Sequence, residues 1–160
     1  MRQKILQIEM QIYGYDELND ADRHLMDEAI RATERSYVPY SHFRVGAAAR
    51  LANQAIVSGS NQENAAYPSG TCAERTTLFY ANSQYPDQAV ETLAIAARNE
   101  RGAWLELPIS PCGTCRQVMI ETEKRFGKPM RILLYGTKGV YELNRATDLL
   151  PLSFDAEAMK

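Results

Sequence analysis

Hydrophobic and polar residues alternate along residues 4–13, near the start of the chain. The apolar positions on one side are Leu6, Ile8, Met10 and Ile12. A period of two is typical of a strand with one buried face, so this segment predicts a half-buried strand. Gly14 and the polar Asn19-Asp20 pair then end the alternation.

The period becomes helical over residues 20–36, with apolar residues on one face at Leu25, Met26, Ala29, Ile30 and Thr33. Asn19 or Asp20 is suited to cap this helix, and Pro39 prevents it from continuing. Two more segments predict helices that begin at cysteines. They are residues 72–82, with Leu78, Phe79 and Ala81 facing inward, and residues 112–126, with Val118, Met119 and Ile120 facing inward.

Five further apolar segments predict strands, at residues 44–51, 55–60, 90–98, 131–135 and 140–143. A tight turn is expected at residues 52–54, and a short helical turn over residues 146–150. Strands that alternate with helices predict an α/β sandwich, in which helices cover a sheet. No repeat or change of composition divides the chain. Residues 1–160 therefore predict a single domain, with residues 1–19 as an N-terminal extension.

Composition and charge narrow the class of protein. The chain has 160 residues, of which 45% are hydrophobic, and its formal net charge is -2. This charge gives no indication of a nucleic-acid partner, because such domains usually carry a basic face. No apolar stretch approaches the length of a membrane span, and Met1-Arg2-Gln3-Lys4 does not lead into a signal peptide. We therefore expect a cytoplasmic protein with no membrane partner.

The three cysteines of the chain are the main candidates for chemistry: Cys72, Cys112 and Cys115. An odd number argues against a disulfide framework and favours metal binding or catalysis. Cys112 and Cys115 alone have the spacing of a redox pair or of half a structural metal site. Structural zinc sites usually have four protein ligands, whereas catalytic sites have three and leave one position open. Three thiolates therefore fit a catalytic zinc site.

Glu74 lies two residues after Cys72, and the Cys-x-Glu and Pro-Cys-x-x-Cys segments together match the three-thiolate form of the zinc deaminase signature. In that signature the glutamate moves protons and does not bind the metal. Neither His24 nor His42 is followed by the x-Glu that a histidine ligand would need. Cys72 is thus predicted as the third ligand, and Glu74 as the catalytic proton carrier.

Two arginines and a polar loop add to this site. Three thiolates around Zn²⁺ leave a net negative charge, and Arg75 and Arg116 are placed to offset it by donating hydrogen bonds to the sulfurs. Asn61 and Glu63 form an Asn-x-Glu loop before the first zinc helix. An amide and a carboxylate at this spacing can bind vicinal hydroxyls of a sugar.

Four motifs together resemble those of a known family. They are residues 37–48 (Tyr-Val-Pro-Tyr-Ser-His-Phe-Arg-Val-Gly-Ala-Ala), residues 59–67 (Gly-Ser-Asn-Gln-Glu-Asn-Ala-Ala-Tyr), residues 72–76 (Cys-Ala-Glu-Arg-Thr) and residues 110–117 (Ser-Pro-Cys-Gly-Thr-Cys-Arg-Gln). Their order and spacing resemble the small, homotetrameric, zinc-dependent cytidine deaminases. The resemblance covers residues 20–154, and the N-terminal strand is an addition to the compact members.

The resemblance implies a fold, an activity and a set of site residues. The fold would be a three-layer α/β/α sandwich around a mixed sheet of about five strands. The activity would be hydrolysis of cytidine and 2′-deoxycytidine to the uridines, within pyrimidine salvage, with one Zn²⁺ per subunit. Cys72, Cys112 and Cys115 would bind zinc, and Glu74 would carry protons. The expected substrate contacts are Phe43, Asn61, Glu63, the backbone of Ala73 and, from a neighbouring subunit, Phe154.

Two other functions compete with this one. A deaminase of another aminopyrimidine, such as blasticidin S, would keep the zinc site but would have no use for Asn61 and Glu63. A structural zinc or redox module would need neither Glu74 nor an open coordination position. Competition between the antibiotic and cytidine separates the two deaminases. Zinc stoichiometry, together with tight binding of a hydrated pyrimidine nucleoside, separates them from the structural module.

Overall fold

A computed structural model describes residues 1–160 and shows a single six-stranded sheet with helices on both faces. The strands are β1 Met10–Tyr13, β2 Arg44–Leu51, β3 Ile56–Ser60, β4 Val90–Arg98, β5 Arg131–Gly136 and β6 Gly139–Leu143. The helices are α1 Asp20–Ala32, α2 Ala73–Gln84 and α3 Gly113–Phe126. Short 3₁₀ turns lie at Tyr15–Glu17, Thr33–Arg35, Tyr67–Ser69, Ala146–Leu149 and Ala156–Met159.

The sheet is mixed, with the strand order β1-β6-β5-β4-β2-β3. β4 and β5 run parallel, and every other neighbouring pair is antiparallel. The connection between the parallel strands passes through α3, as a parallel crossover requires. Five strands form the sheet that the sequence predicts, and β1 adds the extra N-terminal strand at one edge.

The helices form two layers around the sheet. α1 packs against β2 and β4, over a core that includes Leu25, Met26 and Leu133. α2 and α3 pack on the opposite face, over a larger core that includes Leu78 and Met119. This arrangement confirms the predicted three-layer α/β/α sandwich, and it places the starts of α2 and α3 on one side of the molecule.

Gly46 sets the close approach of α1 to the sheet. A Cβ atom at this position in β2 would lie 2.2 Å from the carbonyl oxygen of Ala29 and 2.6 Å from the Thr33 nitrogen. Both are backbone atoms, which cannot move aside as a flexible side chain would. The glycine therefore lets the helix pack directly on the strand.

The prediction of a strand over residues 4–13 is wrong in length and in burial. Only Met10–Tyr13 forms a strand, and residues 1–9 are exposed without regular structure. The β6 ladder supplies partners only from Met10, which lies opposite Leu143, and the chain beyond Leu143 soon turns into a 3₁₀ helix. Alternating hydrophobic and polar residues form a strand only where a neighbouring strand is available for hydrogen bonding.

Two details of the predicted helices also differ. The helix predicted to end at Ser36 is α-helical only to Ala32 and continues as a 3₁₀ turn to Arg35. Phe79, predicted to face inward, has 54% of its surface exposed. The buried stripe of α2 runs through Glu74, Thr77, Leu78 and Ala81, and Phe79 lies outside that spacing.

No helix is both long enough and apolar enough to span a membrane.

Candidate metal centre and active site

The three cysteines meet where α2 and α3 begin. Cys72 is the N-cap residue of α2, Cys112 is the N-cap residue of α3, and Cys115 lies in the first turn of α3. Their Sγ atoms all lie within 4.8 Å of one another, with 3.9 Å between Cys72 and Cys112 and 3.4 Å between Cys112 and Cys115. The sequence thus predicts this cluster correctly from two distant motifs.

The cluster fits a zinc ion. A tetrahedral ion with Zn–S bonds of ~2.3 Å needs sulfurs separated by ~3.8 Å, which lies within the spread of the observed distances. No cysteine forms a disulfide, so all three thiols are free to bind. Free N–H groups at the starts of two helices favour negative charge at this position. The donor set therefore matches Zn²⁺ with one open position.

Arg75 lies beside the cluster. Its Nη2 donates to the Cys72 sulfur at 4.0 Å and to the Gly70 carbonyl at 3.5 Å. The adjacent Cys115 thiol and the Arg75 guanidinium lower the pKa of Cys72 to about 5. Donation to that sulfur, together with burial, raises the pKa of Cys115. Cys72 therefore ionises more readily than Cys115, and Arg75 makes the contact expected from its position in the sequence.

Glu74 is buried at the start of α2, with 4% of its surface exposed. Burial raises the pKa of its carboxyl above the usual range, and the negative charge of Cys72 adds to this effect. No arginine or lysine donates a hydrogen bond to it. A carboxyl with a raised pKa, close to the three cysteines, is suited to accept and return protons.

Arg116 does not make the expected contact with a sulfur. Its Nε donates to the carbonyl of Pro111 at 2.8 Å, and its Nη1 donates to the carbonyl of Leu149, also at 2.8 Å. Both acceptors are backbone oxygens, which the sequence alone gives no means to identify. Of the two arginines predicted to offset the thiolate charge, only Arg75 contacts a thiol.

A cleft of about 600 Å³ opens next to the cluster and reaches Cys72. Its lining comes from two segments, residues 40–41 and residues 61–72. The lining residues are Tyr40, Ser41, Asn61, Gln62, Glu63, Asn64, Tyr67, Gly70, Thr71 and Cys72. Most of the lining residues are polar, two are tyrosines, and none is a lysine or an arginine.

Asn61 and Glu63, the residues predicted to bind a sugar, both line this cleft and are held in fixed positions. The Asn61 side chain accepts from the Val45 nitrogen at 2.8 Å and donates to the Phe43 carbonyl at 2.9 Å. Oε2 of Glu63 accepts from the backbone nitrogens of Tyr40 and Ser41, at 2.9 Å and 3.2 Å. Oε1 of Glu63 and the second N–H of the Asn61 amide remain available to a ligand.

Glu63 remains charged in this setting. A side-chain hydrogen bond from Ser41 contributes most to lowering the pKa of its carboxyl, and the lowering outweighs the opposing effect of burial. Backbone N–H groups of Ser41 and Tyr40, 22 and 23 residues earlier in the chain, add to it. Sequence reasoning missed this support, because backbone donors leave no signal in the residue types.

The remaining predicted substrate contacts lie in different surroundings. Ala73 is buried as the first residue of α2, where the first N–H groups have no partner within the helix. Phe43 is half-buried against the core on the α2 and α3 face and does not line the cleft. Phe154 is 63% exposed, and its carbonyl accepts from Gln117 at 2.8 Å. Within one chain, Phe154 is not part of the cleft.

Gln62 also supports the cleft, and sequence reasoning missed it. Its Nε2 donates to the Ser60 hydroxyl and to the Arg35 carbonyl, both at 3.1 Å. It therefore ties the cleft loop to the end of β3 and to the turn after α1. Its place between Asn61 and Glu63 is the one sequence signal that could have identified it.

Comparison with known proteins agrees with this geometry. The model of the family described as "cytidine and deoxycytidylate deaminase zinc-binding region" matches residues 19–126. A cytidine deaminase of Halalkalibacterium halodurans is 40% identical over 84% of this chain and 95% of its own length. One from Sporosarcina psychrophila is 40% identical over 83% of this chain and 90% of its own.

A solved structure extends the likeness to the fold. The crystal structure of a cytidine deaminase from Burkholderia pseudomallei superposes with a TM-score of 0.69, at 38% identity, over 82% of this chain and 97% of the other. The zinc-binding region that defines the family contains both cysteine motifs and Glu74. The chain belongs to the cytidine deaminase family, and zinc is its cofactor.

Proposed function

We propose that this protein hydrolyses cytidine and 2′-deoxycytidine to uridine and 2′-deoxyuridine, with release of ammonia. One observation carries the proposal: three free thiols with the spacing of a zinc site lie beside a buried, unpaired Glu74, at the end of a polar cleft. A structural zinc or redox module would not need the buried carboxylate. The reaction replaces the amino group on C4 of the pyrimidine ring with an oxygen from water.

Cys72, Cys112 and Cys115 would hold the zinc. When bound, the ion supplies Lewis-acid chemistry that lowers the pKa of a water molecule from its bulk value toward neutrality. Arg75 offsets part of the charge of the three thiolates through its contact with Cys72. No other cysteine, histidine or carboxylate belongs to the cluster, so a bound ion would have three protein ligands.

Glu74 would carry the protons of the reaction. It accepts a proton from the attacking water and delivers it to N3 of the ring, which makes C4 more electrophilic. A second proton from the added oxygen then passes through Glu74 to the departing amine, the C4–N bond breaks, and ammonia leaves. Positioned acid–base groups of this kind contribute ~10²- to 10⁴-fold to a rate. The burial that raises the pKa of Glu74 suits both steps.

The cleft would bind the nucleoside. The free oxygen of Glu63 and the free N–H of Asn61 are suited to the ribose hydroxyls, because backbone bonds already fix both side chains. The N–H of Ala73 would donate to the pyrimidine carbonyl. Phe43 would pack close to the nucleoside from the core side. Positioning by groups that are held before binding reduces the entropic cost of forming the complex.

The cleft favours a nucleoside over a nucleotide. Its lining contains no lysine or arginine, while Glu63 contributes a negative charge. A 5′-phosphate needs cationic partners or a cluster of backbone donors, and a nearby carboxylate would repel it. We therefore expect much weaker activity on the monophosphates than on cytidine.

We further propose a homotetramer, in which Phe154 contacts the site of a neighbouring subunit. Its support is the exposure of Phe154 within one chain, together with exposed aromatic residues on α2, Phe79 and Tyr80. Sedimentation equilibrium measures the number of subunits directly. A role in pyrimidine salvage in the cytoplasm is also proposed, and the three free thiols suit such a reducing compartment.

Ultraviolet assays of the purified protein with cytidine, deoxycytidine and cytidine 5′-monophosphate test the proposal. We expect turnover of both nucleosides and little of the monophosphate. Glu63→Gln should raise KM for cytidine more than it lowers kcat, whereas Glu106→Gln, a matched change outside the cleft, should alter neither. A zinc-loaded protein that leaves both nucleosides unchanged would refute the proposed function.

A further inference from the structure

α3 is tied to the C-terminal segment, defined here as residues 146–155, by four side chains. Arg116 donates to Leu149 and Gln117 donates to Phe154, both to carbonyls and both at 2.8 Å. The buried Glu123 accepts from the nitrogens of Ala146 and Thr147, at 2.8 Å and 3.2 Å. Lys124 pairs with Asp155. The segment is thus fastened along the helix whose start carries two of the cysteines.

Arg116 differs from the other three because it also reaches the zinc loop, defined here as residues 110–115. Its Nε donates at 2.8 Å to the carbonyl of Pro111, the residue directly before Cys112. The guanidinium is a rigid planar fork, so one group fixes two backbone oxygens relative to each other. Here it joins the zinc loop to the C-terminal segment.

Apart from the first turn of α3, where the Arg116 nitrogen donates to the Cys112 carbonyl at 3.0 Å, the zinc loop has few contacts. Ser110, Cys112, Gly113 and Thr114 are exposed, and Pro111 and Cys115 are its buried residues. The Cys112 side chain makes no capping hydrogen bond to α3, and a Cβ atom at Gly113 would meet nothing within 4 Å. The position of the Cys112 sulfur therefore depends strongly on the bond between Arg116 and Pro111.

We propose that Arg116 is a positioning residue that holds Cys112 in place for zinc and couples the zinc site to the C-terminal segment. The proposal rests on the zinc site of the proposed function, but it concerns metal retention, not turnover. Groups that orient metal ligands typically change metal affinity by ~10- to 100-fold when removed. The coupling also predicts that loosening the C-terminal segment weakens zinc binding.

The first test compares Arg116→Met with Arg125→Met in the full-length zinc-loaded protein. Arg125 is the matched control, because it is an α3 arginine that donates to a backbone carbonyl, that of Pro86, away from the cysteines. Zinc release is followed by transfer to a chromogenic chelator. We expect release about tenfold faster for Arg116→Met. Equal release rates for the two variants would overturn the proposal.

A spectroscopic readout separates positioning from general loosening of the fold. Co²⁺ in place of zinc gives sulfur-to-metal bands that respond to ligand geometry. These bands should shift in Arg116→Met and stay unchanged in Arg125→Met. Arg116→Lys keeps the charge but cannot bridge both carbonyls, so it should release zinc at an intermediate rate. Full rescue by lysine would show that charge, and not the bridge, matters.

The second test measures the coupling itself. Gln117→Ala with Lys124→Ala removes two contacts to the C-terminal segment and leaves Arg116 intact. This pair should speed zinc release by about threefold in the parent, the low end of coupling between contacting groups, and should add nothing to Arg116→Met. Equal effects in both backgrounds would refute the coupling.

The outcomes also separate this proposal from the proposed function. A parent protein that binds no zinc refutes both. A parent that binds zinc but does not deaminate cytidine refutes only the function. The zinc-release rates of Arg116→Met and Arg125→Met then still decide the role of Arg116. A parent that deaminates cytidine, with an Arg116→Met variant that retains zinc as the parent does, refutes only the role of Arg116.

Discussion

Two buried carboxylates lie on opposite faces of the same sheet, and they differ in whether arginines donate hydrogen bonds to them. Glu74, on the α2 and α3 face, is 4% exposed, and Asp22, on the α1 face, is 2% exposed. Asp22 accepts hydrogen bonds from Arg50 at 3.0 Å and from Arg131 at 2.8 Å. Glu74 has no such partner, although Arg75 is the next residue along the helix.

The pKa values follow this difference. Burial acts to raise the pKa of Asp22, but hydrogen bonds from Arg131, Arg50 and Asn19 outweigh it, and the pKa lies below its usual range. Burial raises the pKa of Glu74, and the smaller lowering effects of the Cys115 thiol and the Arg75 charge do not outweigh it. Asp22 thus acts as a permanent charge that joins α1 to β2 and β5, whereas Glu74 can change its charge during a reaction. Pairing with arginine, not burial, distinguishes Asp22 from Glu74, the proposed proton carrier.

The largest predicted effect concerns the unpaired carboxylate. Glu74→Gln should lower kcat for cytidine by about 10³-fold, because the amide cannot accept a proton from water. Zinc content, measured by metal analysis, should remain that of the parent, since Glu74 is not one of the clustered ligands. A variant that loses its zinc, or that keeps near-parent activity, would contradict the role of Glu74.

The next largest effect concerns the paired carboxylate. Asp22→Asn should lower the free energy of unfolding by about 3 kcal/mol, because it leaves Arg50 without its counter-charge and Arg131 with Glu142 alone. The exposed Asp20 offers a matched control in the same helix, and Asp20→Asn should cost well under ~1 kcal/mol. Denaturant unfolding measures both. Similar losses in the two variants would mean that the Asp22 network does not stabilise the fold.

The pH dependence of the unfolding free energy should also reflect Asp22. Because folding lowers the pKa of Asp22, its stabilising contribution is present above the unfolded value of ~3.9 and is lost as pH falls through the folded value. The gap in unfolding free energy between the parent and Asp22→Asn should therefore be full at about pH 7 and shrink below roughly pH 4. A gap that stays constant on acidification would contradict this assignment.

The smallest predicted effect is a gain in the stability of the metal-free protein, opposite in sign to the loss expected for Asp22→Asn. Because the folded pKa of Glu74 is raised, its charged form destabilises the metal-free protein above the unfolded pKa, and this cost disappears at lower pH. Glu74→Gln should therefore stabilise the metal-free protein near neutral pH, on the order of 1 kcal/mol. Thermal unfolding after removal of zinc measures this. Destabilisation instead would place Glu74 with Asp22 as a structural residue.

The sequence predicts the parts of the molecule that depend on periodicity and spacing. The strands at Arg44–Leu51 and Val90–Arg98 agree with the structure to the residue, because each is a predominantly apolar segment followed by a polar turn. The cysteine cluster was predictable because two motifs each place a thiol at the start of a helix. Both features are local in the chain.

The features that the sequence misses depend on partners distant in the chain. β1 is short because β6 ends, and nothing in residues 4–9 indicates where β6 ends. Arg116 bonds to Leu149, 33 residues later, through a carbonyl that every residue type carries. The ion pair between Asp22 and Arg131 spans 109 residues and carries no motif. Such contacts follow from the tertiary fold and not from local pattern.

The most direct test of the account is cytidine turnover by the purified protein before and after removal of zinc. We predict release of uridine and ammonia in equal amounts, loss of turnover when a chelator removes the zinc, and recovery when Zn²⁺ is restored. Glu74→Gln, treated in the same way, should rebind zinc without recovering activity. Turnover that persists in the zinc-free protein, or its absence in the zinc-loaded protein, would contradict the account.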